Sequence, residues 1–295
     1  MKPPRPRRSA FDFDQETRLT PAAPRDVAVL IPAFAPTESL IDLVDRLSDA
    51  GVPAVLVVDD GSPADAQPLF ELLASNPRVH LLRHPGNEGK GSALKTGIRY
   101  FLRHQAHLKG LVTADADGQH AADDVVRVAR ALHRSPRLVI VGARNFDVPL
   151  YPAPPLDVPP LRSLIGNRVT ALLFRWMTGV PLADAQCGLR ALPTSLLPAL
   201  LKLPGRRYEY EMSMLVWVAQ TRHPLAEQPI RTLYGPGTPE SHFRPMRDSA
   251  RVLRALFARG SVVPLRSPPA SRQPGSEQQP AADAAAAAER AARAK

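Results

Sequence analysis

Val27-Ala-Val-Leu-Ile31, then Leu40, Ile41, Val44 and Leu47 at helical spacing, then Gly51 and Ala54-Val-Leu-Val-Val58: this stretch decides the fold. A run of five apolar residues leaves no polar side for water, so it reads as a strand buried on both faces. The apolar residues after it return every three or four positions, which is one face of a helix, and Gly51 stops that helix. A second apolar run follows at once. Strand, crossover helix and strand in so short a span is the unit from which parallel sheets are built.

The rhythm continues outward. A helix is expected near 64–74, a strand at Val79-His-Leu-Leu82, and a helix from about Gly91 to Arg103. Strands at Leu111-Val-Thr113 and Leu138-Val-Ile-Val141 then flank a helix from Asp123 to His133. A Pro-rich loop at 149–160 leads to a helix around 162–178, the segment Asp184 to Arg190, a helix near 208–220 and an extended piece at 225–233. This later part is expected to cover the first within one continuous domain. The pattern predicts an α/β protein with a mostly parallel open sheet flanked by helices, in which ligands sit beyond the carboxyl ends of the strands.

Composition bounds the alternatives. The chain has 295 residues, 44% hydrophobic and 22% charged, enough to bury a core without metal or disulfide staples. Its lone cysteine, Cys187, excludes a disulfide scaffold and points to the cytoplasmic side of a membrane. The net charge is +10, but residues 26–260 hold 27 basic against 22 acidic groups, so much of the excess lies in the ends. A mildly basic body suits anionic phosphates or an anionic membrane surface. Residues 1–25 and 261–295 read as unstructured, the first rich in Pro and Arg and the second in Ala and Pro, leaving 26–260 as the working domain. No run of ~18 apolar residues is present, so neither a signal peptide nor a membrane span is expected. From Pro245 to Arg259, however, arginines flank an apolar stripe as in a basic amphipathic helix, which allows a peripheral membrane contact.

Three segments carry chemistry. Asp59-Asp60-Gly61-Ser62 closes the second strand, where a carboxylate can accept from a base N–H or a ribose hydroxyl, or can cap a helix. Thr113-Ala-Asp115-Ala-Asp117-Gly-Gln119-His120 closes the fourth, and two acids two residues apart suit Mg²⁺ or Mn²⁺ held together with substrate phosphates. Asn87-Glu-Gly-Lys90-Gly91 opens a helix whose amides and lysine could face an anion. It is no ATPase loop, because His84 and Gly91 stand where Gly and Ser or Thr would be needed. Pro32-Ala-Phe34 after the first strand likewise lacks the glycine fingerprint of nicotinamide enzymes.

These motifs, with Val27 to Phe34 in front of them, resemble family 2 glycosyltransferases of the GT-A, nucleotide-diphospho-sugar transferase fold. Gly142-Ala-Arg144, Arg162 to Asn167, Asp184 to Arg190, Tyr208-Glu-Tyr-Glu-Met212 and Ser241 to Asp248 are most similar to the dolichyl- or polyprenyl-phosphate sugar transferase branch. The resemblance covers about residues 26–258. It implies an inverting enzyme with a nucleotide-sugar donor held by Pro32, Asp59, Asp60, Lys90, Asp115 and Gln119. Asp115 and Asp117 would hold Mg²⁺ or Mn²⁺, Asp117 and Asp184 would be catalytic, and Arg144, Arg162 and Arg190 would face the acceptor. That acceptor is a lipid phosphate or a glycan hydroxyl; the latter would need a base, for which Asp184 is the candidate. Gly166 departs from the branch, which often has Ser there. Membrane helices that often follow the Ser-His-Phe-Arg-Pro ending are replaced by the Ala/Pro tail, so membrane contact would be peripheral or through a separate membrane protein.

Two other classes fit less well. A nucleotidyltransferase should open with a Gly-rich, Arg-containing loop, and residues 32–38 supply neither. A nucleic-acid-binding protein would interleave arginines with aromatics, which are only 5% here, so no nucleic-acid partner is expected.

Overall fold

The computed structural model describes residues 21–144 and 161–231, with side chains from residue 166 onward in the second stretch. The Pro-rich loop at 149–160, the Ser241–Asp248 motif, the amphipathic segment 245–259 and the tail 261–295 lie outside the described residues. So do residues 1–20 and the side chain of Arg162.

The elements run β1 (Val27–Ala33), α1 (Ser39–Asp49), β2 (Val55–Asp59), α2 (Gln67–Ala74), β3 (Val79–Arg83), α3 (Lys90–His104), β4 (Gly110–Thr113), α4 (Ala122–Arg134) and β5 (Val139–Arg144). After these come α5 (Leu161–Thr178), β6 (Arg190–Pro193), the one-turn α6 (Leu197–Leu200), α7 (Glu209–Gln220) and β7 (Leu225–Ile230). Seven strands form one sheet in the order β3-β2-β1-β4-β6-β5-β7. All neighbours are parallel except β6, which is antiparallel to both β4 and β5. The chain leaves β1 toward β2 on one side and returns to pair β4 on the other. A crevice opens at such a switch point, beyond the strands' carboxyl ends.

Why the central strands are apolar throughout is visible in the packing. Side chains alternate between faces along a strand. Val27, Val29 and Ile31 meet Leu40, Val44 and Leu47 of α1 and Val125 and Val128 of α4 on one side. Ala28 and Leu30 meet Leu94, Ile98 and Phe101 of α3 and Met214 of α7 on the other. Each fully buried Leu or Phe contributes about 1.5–3 kcal/mol, so neither face tolerates a polar residue. A third apolar cluster joins Phe174 of α5 to Met212, Leu215 and Val216 of α7 and supports β5.

Two expectations are corrected. The later part of the chain does not merely cover the sheet: it inserts β6 between β4 and β5 and adds β7 at the edge. Residues 21–25, read as unstructured from composition, are held where Ala23 N–H donates to Ala50 O (2.7 Å) and Arg130 Nε to Ala22 O (3.0 Å).

Candidate active site

At the carboxyl end of β2, both acids point into the protein's own loops. Asp59 Oδ1 accepts from Ser62 N–H (2.8 Å), and Ser62 Oγ accepts from Ala35 N–H (2.9 Å), joining the β1 and β2 loops. Asp60 accepts from the Glu88 and Gly89 amides (3.0 and 2.8 Å) and pairs with His84 Nδ1 (2.8 Å), whose Nε2 meets Thr96 Oγ1 (2.9 Å). Asp60 thus fixes the Asn87–Gly91 loop against the crevice. Gly61 makes this approach possible. Its φ is +71°, and a Cβ there would lie 2.7 Å from Asn87 N. Pro32 is buried within β1, paired with Val58.

That loop delivers Lys90 to the centre of the crevice. Its Nζ sits 2.6 Å from Asp115 Oδ1 and 2.8 Å from Glu211 Oε2, with the Tyr208 ring 5.7 Å away. Burial alone would lower the lysine pKa, but the two carboxylates override it and hold the ammonium charged well above its ordinary range. Burial would likewise raise Asp115, yet Lys90 and then His120 keep it far below the usual carboxylate value. Asp117 goes the other way: burial and then the Asp115 charge push it up. Asp117 Oδ1 accepts from Gln119 N–H (3.0 Å).

Asp115 fits because residue 188 is glycine. A Cβ there would stand 2.6 Å from Asp115 Oδ1, and the Gly188 carbonyl is pinned by Thr113 Oγ1 (2.8 Å). The same loop carries Asp184, which is 0% exposed. Arg144, at the end of β5, grips it in a fork: Nε to Oδ2 at 2.5 Å and NH2 to Oδ1 at 3.1 Å. Gln186 N–H also donates to Oδ1 (3.0 Å), and Glu227 of β7 accepts from the Ala183 and Asp184 amides (2.8 and 3.1 Å). Cys187, beside them, is pushed up to about 12 by burial and then by the Asp184 charge, so it stays a thiol.

Arg190 does not face an acceptor. It is 1% exposed, and its guanidinium donates to the carbonyls of Cys187 (2.9 Å), Glu211 (2.5 Å) and Ala185 (3.3 Å). A buried guanidinium needs such acceptors, and here it ties the 185–187 loop to α7. Among the other expected residues, Lys90, Asp115 and Asp117 come together, while Asp184 and Arg144 form a second pair. Glu211 was not singled out, although it lies in the quoted Tyr208–Met212 motif. His84, Gly188 and Glu227 gave no signal in sequence.

The residues suit a hard divalent cation. Asp115 and Asp117 supply oxygens, and among the described residues the nearby His120 is buried with neither ring nitrogen hydrogen-bonded, its Nε2 3.5 Å from Asp115 Oδ2. No three acidic, His or Cys side chains among the described residues gather into a complete metal site. Mg²⁺ commonly takes one or two carboxylates, with water and substrate phosphates completing its coordination.

A doubly wound, mostly parallel sheet with paired acids after β4 has the architecture of the GT-A fold. The likeness to solved structures agrees: glucosyl-3-phosphoglycerate synthase from Mycobacterium tuberculosis, crystallised with Mn²⁺, uridine diphosphate and phosphoglyceric acid, superposes with a TM-score of 0.57 at 19% identity over 81% of this chain and 79% of that one. The sequence model of glycosyl transferase family 2 matches residues 28–169. Undecaprenyl-phosphate mannosyltransferase of Micrococcus luteus is 31% identical over 209 residues, 69% of this chain and 82% of that protein. The UDP-N-acetylglucosamine–dolichyl-phosphate N-acetylglucosaminyltransferase of Methanococcus voltae is 27% identical over 222 residues, 70% and 86% of the two chains. The chain belongs to glycosyl transferase family 2 and is a glycosyltransferase. No helix among its described residues is long and apolar enough to cross a membrane.

Proposed function

We propose that this enzyme transfers a sugar from a nucleotide diphosphate to a polyprenyl phosphate, with inversion. The observation that carries the choice of acceptor is the state of Asp184. A hydroxyl acceptor needs a base, and Asp184, the candidate, has both oxygens committed to Arg144 and a loop amide. A phosphate acceptor is already anionic near neutral pH and needs positioning rather than deprotonation. The relatives from Micrococcus luteus and Methanococcus voltae, whose names specify undecaprenyl and dolichyl phosphate, support the same reading.

In this mechanism Asp60 and Asp59 build the donor wall through their loops, and Lys90 presents a permanent cation to the diphosphate. Asp115 and Asp117 would hold Mg²⁺ or Mn²⁺, which when bound stabilises charge on the departing diphosphate. Gln119 lies beside Asp117 for the same diphosphate. Arg162 would meet the acceptor phosphate, a task that suits a guanidinium fork, while Arg144, whose Nε and NH2 are taken up by Asp184, would border the acceptor site. Inversion follows from a single attack by the phosphate oxygen on the face opposite the leaving group. The enzyme would work as a peripheral protein on the cytoplasmic membrane face.

The test is a screen of nucleotide sugars against polyprenyl phosphate with Mg²⁺, Mn²⁺ or chelator. A radiolabelled lipid product that is lost in chelator is expected. Transfer to glycan hydroxyls only, or undiminished turnover in excess chelator, would overturn the acceptor or the metal assignment respectively.

A further inference from the structure

Helix α5 contains no acidic residue, and its two sides differ sharply. Asn167, Thr170, Phe174 and Thr178, three or four apart, are buried against the domain. Asn167 Nδ2 donates to Ala183 O and Gln186 Nε2 to Thr170 Oγ1, both at 3.0 Å, so this side abuts the loop that carries Asp184. The opposite side presents Val169, Leu172 and Trp176 at 51%, 67% and 70% exposure. At about 100° per residue these three share one arc of roughly 120° with the exposed Arg168 and Arg175. Among the described residues the only other exposed large apolar side chain is Leu72. Single exposed apolar residues are ordinary, but a cluster rimmed by polar groups marks a contact surface.

We propose that this arc of α5 docks on an anionic lipid bilayer, with Leu172 and Trp176 entering the interface and Arg175 meeting headgroup phosphates. Charge complementarity selects this occupant. The exposed Arg175, on a helix without a single acid, suits an anionic surface, and two copies of the arc would bring like charges together. Tryptophan favours the boundary between headgroups and acyl chains. Docking this way holds the Arg144–Asp184 end of the site one helix width, roughly 10 Å, from the membrane, a consequence whose use rests on the polyprenyl-phosphate reading above.

The experiment uses the full chain with vesicles of phosphatidylcholine, alone or mixed with an equal part of phosphatidylglycerol. Co-sedimentation is expected with the anionic vesicles and should weaken with salt. The chain has two tryptophans, so Trp217→Phe leaves Trp176 as sole reporter, and its emission should shift to the blue on binding. The Leu172→Gln/Trp176→Gln variant should bind at least ~10-fold more weakly with an unchanged thermal melt, and Arg175→Glu should also lose binding. Undiminished sedimentation of the double variant, or an unshifted Trp176, would overturn the proposal. A lipid-free dimer that the same substitutions dissolve would also overturn it, in favour of a second copy. A water-soluble short-chain polyprenyl phosphate separates this idea from its parent: transfer without docking overturns the docking surface alone. Docking without transfer supports the surface and removes the acceptor reading.

Discussion

Gly188→Ala tests whether Asp115 works from the position seen here. The added methyl carbon would stand 2.6 Å from Asp115 Oδ1 and 2.8 Å from its Cγ, where ordinary contact begins near 3.4 Å. Asp115 Oδ2 would lie nearer still, so one side must give by about 1 Å. The loop is poorly placed to do so, because Thr113 Oγ1 holds the Gly188 carbonyl at 2.8 Å and Gly142 N–H holds the next one, Leu189 O, at 2.8 Å. The Asp115 side chain is partly exposed and can swing, which stretches its 2.6 Å contact with Lys90 beyond hydrogen-bond range.

Overpacking of this kind costs about 1–3 kcal/mol, and in a domain this size each kcal/mol moves Tm by about 2–4 °C, so the variant should fold with a modestly lowered melt. Catalysis should suffer more. Misplacing a group by about 1 Å can cost ~10²-fold, near 2.7 kcal/mol of barrier. The assays are kcat/KM for the nucleotide sugar and calorimetry of nucleoside diphosphate with Mn²⁺. A folded Gly188→Ala enzyme with wild-type values in both would refute the reasoning, because Asp115 would then have to act from elsewhere.

Three further outcomes follow from single contacts. Glu211→Gln takes one of two carboxylates from Lys90; since Asp115 remains, the loss in chemical denaturation should be about 1–2 kcal/mol, below the ~3–5 of breaking a buried pair outright, and nucleoside diphosphate binding should tighten because one competitor for Lys90 is gone. Gly166→Ala should stabilise by about 0.5–1 kcal/mol in a thermal melt, because no described residue lies within 4 Å of a Cβ built there and alanine favours the helix. Asp26 is raised by burial but lowered further by its bonds to Lys109 and His133, so its folded pKa lies below the ordinary 3.8. Its stabilisation is present above that value and lost as pH falls through and below it, so wild-type Tm should drop below about pH 4 more steeply than that of Asp26→Asn.

The central strands β1 and β2 were legible because a doubly packed sheet leaves almost no polar position in them, and that demand writes itself into Val27–Ile31 and Val55–Val58 as unbroken apolar runs. β6 was not. Arg190-Ala-Leu-Pro193 opens with a cation and closes with proline, and its strand character depends on carbonyls of Cys187, Ala185 and Glu211 arriving from other segments to satisfy the guanidinium. The segment 21–25 was misread for a related reason. Its hold on the domain runs through backbone groups of Ala22 and Ala23, which leave no mark in composition.

For the site, residue type was legible and direction was not. A carboxylate at a strand's end must find donors, but sequence does not say whether they belong to a ligand or to a neighbouring loop. Asp60 takes its donors from Glu88, Gly89 and His84, and Asp184 from Arg144 and Gln186, so acids read as reaching outward hold the walls instead. Asp115 illustrates the remaining case. Its charge is balanced by Lys90, and Lys90 is shared with Glu211. On the proposed reading, an arriving diphosphate therefore does not meet a bare cation. It competes with two carboxylates for an ammonium that is already satisfied, so part of the desolvation cost of placing Lys90 in the crevice is met when the protein folds rather than when the donor binds. Glu211 would set how readily Lys90 turns from Asp115 to the diphosphate, which makes a residue outside the paired-acid motif a determinant of donor affinity.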